Sequence, residues 1–127
     1  MNLTDCLAVA LGGAAGCLSR YAMQQVPMLM AHKTWPTMAV NLLGCLLIGI
    51  AATIFDHREG PRFLRLLCIT GFLGGFTTYS TFMLDTATMM RGGEGMKALF
   101  YLMASLAGGF VTFMAGYSAT TKLIGRL

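Results

Sequence analysis

The sequence predicts an all-α membrane protein with four transmembrane helices, the third of which is broken near its middle. Of the 127 residues, 56% are hydrophobic and only 11% are charged, and the mean hydropathy is +0.67, values that differ strongly from those of a soluble domain. One span requires roughly 20 apolar residues. Four stretches satisfy this requirement, at residues 3–23, 37–55, 63–90 and 98–124. We therefore expect residues 1–127 to form a single four-helix transmembrane domain.

The first span contains the motif GGAAG, in which Gly12 and Gly16 are four residues apart. Small residues at this spacing let helix backbones approach closely in lipid, where packing drives association. Arg20 follows near the end of the span. Its side chain either extends to the lipid headgroups or is buried as a structural or functional group. Because no cation precedes this apolar run, we expect the span to be retained rather than cleaved as a signal peptide.

The second span opens with Trp35, which suits a membrane interface, and Pro36, which suits the first turn of a helix. Asn41 lies about one turn further along the chain. A buried amide needs hydrogen-bond partners or water. Asn41 therefore bonds to a neighbouring helix or lines a pore as a donor, and the two roles are compatible.

The third span carries the motif GFLGGFTTYSTF at residues 71–82. As a straight helix, the stretch 63–90 would rise about 42 Å, which exceeds a hydrocarbon core of about 30 Å. Gly74 and Gly75 lower the helix propensity, and successive hydroxyl side chains at 77–81 lower it further. This pattern predicts a break at residues 74–78, where freed backbone groups form an ion site. The alternative is a kinked helix whose hydroxyls bond to the i−4 carbonyls.

Aromatic residues recur through the same span, at Phe72, Phe76, Tyr79 and Phe82. Such a stripe usually reflects packing. The edge of an aromatic ring is nevertheless positive. Edge-on rings with hydroxyl and amide donors would make a path for a dehydrated anion. For Asp85, which follows, exposure or a structural partner is favoured over proton chemistry.

The fourth span carries small residues at a strict spacing of four: Ala104, Gly108, Thr112, Gly116 and Thr120. We call this set the small-residue seam, and it predicts tight packing against another helix. Because four short helices enclose little interior, a homodimer is the economical way to build a pathway. The nine cations divide five against four between the two membrane sides, a weak bias that is compatible with insertion both ways up.

Three motifs together resemble the Fluc (CrcB) family of bacterial fluoride ion channels: GGAAGCLSRY at 12–21, PTMAVNLLGCLLIG at 36–49 and GFLGGFTTYSTF at 71–82. The resemblance covers essentially the whole chain. It implies an antiparallel, dual-topology homodimer in the bacterial inner membrane, with two pores through which cytoplasmic fluoride leaves passively. It also implies a structural sodium ion held by the backbone carbonyls of Gly75 and Thr78.

The same resemblance implies a set of fluoride-pore residues: Asn41, Tyr79, Phe82, Ser80 and Thr81, with Ser105 and Thr112 as candidates on the fourth helix. Arg20 matches the first-helix arginine of the family and is expected to be structural. The chain departs from the family pattern at Tyr79, where phenylalanine is usual, and at Asp85, where glutamate is commoner.

The main alternative is a small multidrug-resistance type of proton-coupled exporter, which also has four short helices. Such an exporter needs a membrane-buried carboxylate, preferably in the first helix, and the first span offers only Asp5 at its edge. A structural subunit without transport activity is a third class. No nucleophile with a neighbouring base and no paired carboxylates are found, so we expect no enzymatic activity. The dispersed cations give no stripe that would suit nucleic acid.

Overall fold

The computed structural model describes residues 2–58 and 60–126, and the regular elements of these residues are all helices. Four spans are long and apolar enough to cross a membrane: α1 (Leu3–Gln24), α2 (Trp35–His57), the third span (Arg62–Arg91) and α6 (Gly95–Ile124). A short 3₁₀ turn (Leu29–Ala31) lies between α1 and α2. The predicted spans are confirmed, and each of them extends one to four residues further than expected.

The third span is composed of several helical pieces. It begins with α3 (Arg62–Arg65), continues as a π-helical segment (Leu66–Leu73) and then as α4 (Gly74–Phe76), and after two residues resumes as α5 (Tyr79–Arg91). The two intervening residues have extended backbone, with φ −81° and ψ 160° at Thr77 and φ −149° and ψ 115° at Thr78. We call them the extended dipeptide. The π-helical segment was not predicted.

Helix α1 packs backbone against backbone on the third span. A Cβ atom at Gly12 would collide with the carbonyl oxygen of Leu67, and one at Gly16 would collide with that of Phe72. Both glycines are buried. The close approach predicted from the GGAAG motif is therefore confirmed, and its partner is the segment that leads into the extended dipeptide.

Helix α2 packs in the same manner on α6. A Cβ atom at Gly116 would collide with the carbonyl oxygen of Leu46, and one at Gly49 would collide with that of Phe113. Gly108 lies further along the same contact, where an added Cβ would come within 3.0 Å of Leu42. The small-residue seam of the fourth span is thus a helix-packing surface, as predicted.

Large apolar side chains cover much of the outer surface of α6. The most exposed of these side chains include Met96, Phe100, Leu106, Phe110 and Val111. Exposed apolar surface of this extent marks contact with a membrane or with another protein. Because α6 is also long enough to cross a membrane, this surface suits contact with lipid or with a second membrane-embedded chain.

The packing of α1 predicts different effects for two neighbouring glycines. Gly12→Ala should destabilise the protein by about 1–3 kcal/mol, because the added methyl group meets a carbonyl oxygen of a tightly packed backbone. Gly13→Ala is the matched control, since its Cβ would find Gly71 at an ordinary 3.9 Å. Thermal unfolding of the purified protein, followed by circular dichroism, measures both. Equal shifts in the unfolding temperature would contradict the packing of α1.

Candidate functional site

A cavity of about 400 Å³ lies between α2, the third span and α6. Most of its wall is apolar, and a few polar groups converge on it, as is usual for sites that bind small ligands. Four of the residues predicted to act in a pore are among its lining residues: Asn41, Tyr79, Phe82 and Ser105. Thr77 and Thr78, the extended dipeptide, form part of the same wall.

The side chain of Asn41 holds the backbone of Thr78 by two hydrogen bonds. Its Nδ2 donates to the Thr78 carbonyl at 2.9 Å, and its Oδ1 accepts from the Thr78 amide at 2.8 Å. These bonds satisfy both backbone groups of a buried residue that has left the helix. An amide nitrogen carries two hydrogens, so Asn41 retains one N–H after this contact. The predicted bond to a neighbouring span is therefore observed, at a residue outside its helices, and Asn41, which lines the cavity, keeps one unused donor.

The hydroxyl of Thr78 caps helix α5. It accepts from the Thr81 amide at 3.2 Å, donates to Thr81 Oγ1 at 3.0 Å, and lies 3.4 Å from Ser80 Oγ. A threonine at this position satisfies one of the first amides of a helix, which have no partner within it. The structure thus brings Ser80 and Thr81 together at the start of α5, although neither lines the cavity.

Thr77, the first residue of the extended dipeptide, directly follows the last residue of α4. Its amide and its hydroxyl both donate to the Leu73 carbonyl, at 3.1 Å and 3.0 Å. Its own carbonyl accepts from Arg20 Nη1 at 3.2 Å. Arg20 was expected either to extend to the lipid headgroups or to be buried. The structure shows its side chain half-buried and turned toward the third span.

Three aromatic rings follow one another from the cavity wall toward α6. The rings of Tyr79 and Phe82 are 6.0 Å apart and tilted by 56°, and those of Phe82 and Tyr101 are 5.1 Å apart and tilted by 57°. Tilted pairs bring the positive edge of one ring toward the negative face of the next. Phe82 is 4% exposed, whereas Tyr79 is 72% exposed.

Tyr101 is a residue that the sequence analysis missed. Its hydroxyl donates to Asp85 at 3.5 Å, which gives this carboxylate a structural partner. The only signal in the sequence was that Tyr101 precedes Ser105 by four residues and so shares its helical face.

The two candidates on the fourth helix have different surroundings. Ser105 Oγ is buried and has no hydrogen-bond partner within the described residues, and its residue lines the cavity. A buried hydroxyl without a partner requires an explanation such as a bound ion or water. Thr112 lies outside the cavity, and its hydroxyl donates to the Gly109 carbonyl at 3.1 Å.

Side chains that commonly ligate metals do not cluster in the part of the chain that the structure describes: no group of three or more His, Cys, Asp or Glu residues is found there. A metal ion at this site would therefore depend on oxygens of the backbone or of amide and hydroxyl side chains. Gly75 lies against α1, where a Cβ would come within 2.5 Å of the Gly13 carbonyl oxygen. The Thr78 carbonyl has two lone pairs, and Asn41 uses one of them.

Comparison with known proteins identifies the group to which this chain belongs. Residues 7–117 match the family described as "CrcB-like protein, Camphor Resistance (CrcB)". A protein named "Fluoride-specific ion channel FluC" from Rhizobium leguminosarum bv. trifolii is 40% identical over 124 residues, which cover 95% of this chain and 99% of that one.

Two further relatives carry the same name. The protein from Azotobacter vinelandii is 46% identical over 121 residues, with 90% of this chain and 94% of that one covered. The protein from Pseudomonas putida is 45% identical over 120 residues, with coverages of 89% and 94%. The chain thus belongs to the CrcB family, as its sequence motifs predicted.

Proposed function

We propose that this protein is a fluoride-selective ion channel that lets cytoplasmic fluoride leave the cell passively and so gives fluoride resistance. The observation that carries the proposal is the buried Ser105 hydroxyl, which lacks a partner among the described residues and shares one cavity with Asn41 and Phe82. The names of the relatives describe a fluoride-specific channel and not an enzyme, which agrees with the expectation of no catalytic activity.

The polar groups of the cavity suit a small, strongly hydrated anion. Such an ion leaves water only if other donors replace its hydration shell, and it must not be bound too tightly to leave. The remaining N–H of Asn41 and the hydroxyl of Ser105 are neutral donors. The ring of Phe82 adds a positive edge that attracts an anion weakly. Together they would compensate for lost water without supplying a fixed charge in the cavity wall.

The direction of transport follows from the acid–base chemistry of fluoride. Neutral HF enters a cell from acidic surroundings and dissociates at the cytoplasmic pH. A passive channel in the bacterial inner membrane would then let the trapped anion leave down its electrochemical gradient. No coupling group is needed for this process.

The extended dipeptide is proposed to be the mid-membrane break of the third helix, in an antiparallel dual-topology homodimer with two pores. Tyr79 directly follows the dipeptide and lines the cavity, yet 72% of its surface is exposed in the single chain. A second copy would cover this ring and close the pathway on its open side. The nearly even division of cations between the two membrane sides suits such an arrangement.

The carbonyls of Gly75 and Thr78 from both copies are proposed to hold a structural sodium ion. The last carbonyls of a helix lack partners within it, and the helical part before the dipeptide ends at Phe76. Carbonyl oxygens suit a hard cation, and the Thr78 carbonyl retains one lone pair beside its bond to Asn41. When bound, the ion would link the two chains electrostatically.

No observation favours a proton-coupled exporter. Asp5, the carboxylate of the first span, forms an ion pair with Arg62 at 3.0 Å. This contact occupies the one carboxylate that the first span offers.

Liposomes that contain the purified protein should release fluoride much faster than chloride. The liposomes are loaded with either potassium salt and diluted into a medium without that anion, and the efflux is followed with an ion-selective electrode. Comparable rates for the two anions would contradict the proposed selectivity. Liposomes without protein provide the background rate.

Phe82→Ile should slow fluoride efflux by about tenfold, which corresponds to roughly 1.4 kcal/mol of barrier, because the substitution removes the ring edge and keeps an apolar side chain. Phe110→Ile is the matched control, since Phe110 is 67% exposed on α6 and lies outside the cavity. Size-exclusion chromatography should show an unchanged assembly. Unchanged efflux for Phe82→Ile would reject the role of the ring.

Ser105→Ala should slow fluoride efflux by about threefold to tenfold, the equivalent of one hydrogen bond, without lowering the unfolding temperature. The expectation of unchanged stability follows from the absence of a partner for Ser105 Oγ among the described residues. Thr121→Ala is the control on the same helix, because its hydroxyl only donates to the Tyr117 carbonyl. Destabilisation by Ser105→Ala with normal efflux would show that the hydroxyl is structural.

A further inference from the structure

Arg20 introduces a positive charge into the first span, and none of the ion pairs found in the described part of the chain compensates for it. Those ion pairs join Arg62 to Asp5, Arg65 to Asp56 and Lys97 to Glu94. Arg20 is half-buried. A charge within a membrane span is expensive unless it reaches water or pairs with polar groups. Its contacts therefore indicate what the charge is used for.

The guanidinium group of Arg20 caps the end of a helix that belongs to another span. Its Nη1 donates to the Thr77 carbonyl at 3.2 Å, and its Nη2 lies 3.7 Å from Cys17 Sγ. The Thr77 carbonyl stands at the C-terminal end of α4. Because Thr77 has extended backbone, its carbonyl has left the hydrogen-bond pattern of the helix and needs another donor, which the guanidinium group supplies.

The tight packing of α1 brings Arg20 within reach of this carbonyl. Gly16 precedes Arg20 by one turn on the same helical face, and a Cβ at Gly16 would meet the backbone of Phe72 and Phe76. A larger residue at Gly16 would separate α1 from α4. The position of Arg20 thus depends on the glycine contact described above.

Arg20 does not line the cavity, whereas Thr77 and Thr78 do. Two side chains from different helices hold these residues: Arg20 of α1 bonds to the Thr77 carbonyl, and Asn41 of α2 bonds to both backbone groups of Thr78. We infer that Arg20 is a positioning residue, which fixes the Thr77 carbonyl and thereby sets the shape of the cavity wall at the extended dipeptide.

Hydrogen exchange of the full-length protein in lipid nanodiscs tests this inference without reference to transport. Arg20→Gln should raise the amide exchange of peptides that cover residues 74–81 by about tenfold or more, because a charged hydrogen bond to the backbone is lost. Exchange in α6 should stay unchanged. Arg20→Lys keeps the charge and is the more conservative substitution. Its amide exchange over residues 74–81 should rise by only about twofold to threefold.

Lys122→Gln is the matched control for the change in charge, since Lys122 is exposed at the end of α6, and its exchange pattern should equal that of the unmodified protein. The inference is overturned if neither Arg20 variant shows a local rise, if the rise extends equally to α6, or if Lys122→Gln reproduces it. Should Arg20→Gln fail to fold, the Arg20→Lys comparison decides by the same criteria.

The consequence for transport depends on the proposed function. Arg20→Gln should change the ratio of fluoride to chloride efflux, because the cavity wall is altered. The ratio for Arg20→Lys should stay close to that of the unmodified protein. If Arg20→Gln raises the local amide exchange but leaves the fluoride-to-chloride efflux ratio unchanged, Arg20 does not act on the pore. If the unmodified protein passes no fluoride, the proposed function fails, and the exchange data still decide the role of Arg20.

Discussion

Backbone hydrogen bonding in a medium without water is the constraint on which the rest of this structure depends. In hydrocarbon, each amide and carbonyl that leaves a helix must find a partner within the protein. Thr77 and Thr78 leave helical geometry inside the third span. Their backbone groups are satisfied by Leu73 of the same span, by Arg20 and by Asn41. The polar residues of the first two spans thus serve the irregular part of the third.

The same constraint explains where the glycines lie. A guanidinium or amide group from a neighbouring helix reaches the extended dipeptide only if the helices are close, and in lipid such proximity depends on small side chains. Gly12 and Gly16 provide it for α1. The contact between Gly116 and Leu46 allows the same close approach of α2 and α6. Asn41 of α2 and Ser105 of α6 therefore line one cavity.

The sequence allowed the four spans and the glycine contacts to be predicted, because length, composition and a spacing of four are local properties. It also singled out Arg20 and Asn41, since polar groups in apolar runs stand out without knowledge of their partners. Other features depend on how the helices face one another. Tyr101 looked like one more aromatic residue of a long helix, and only its contact with Phe82 and Asp85 distinguishes it. The rotation of α6 likewise places Ser105 at the cavity and Thr112 outside it.

The π-helical segment Leu66–Leu73 has a mechanical consequence for the whole span. A helix with i→i+5 hydrogen bonds places more residues in each turn than an α-helix does. The wider coil has a smaller rise per residue along the helix axis. A span that is too long for the bilayer as an α-helix therefore needs less tilt to fit.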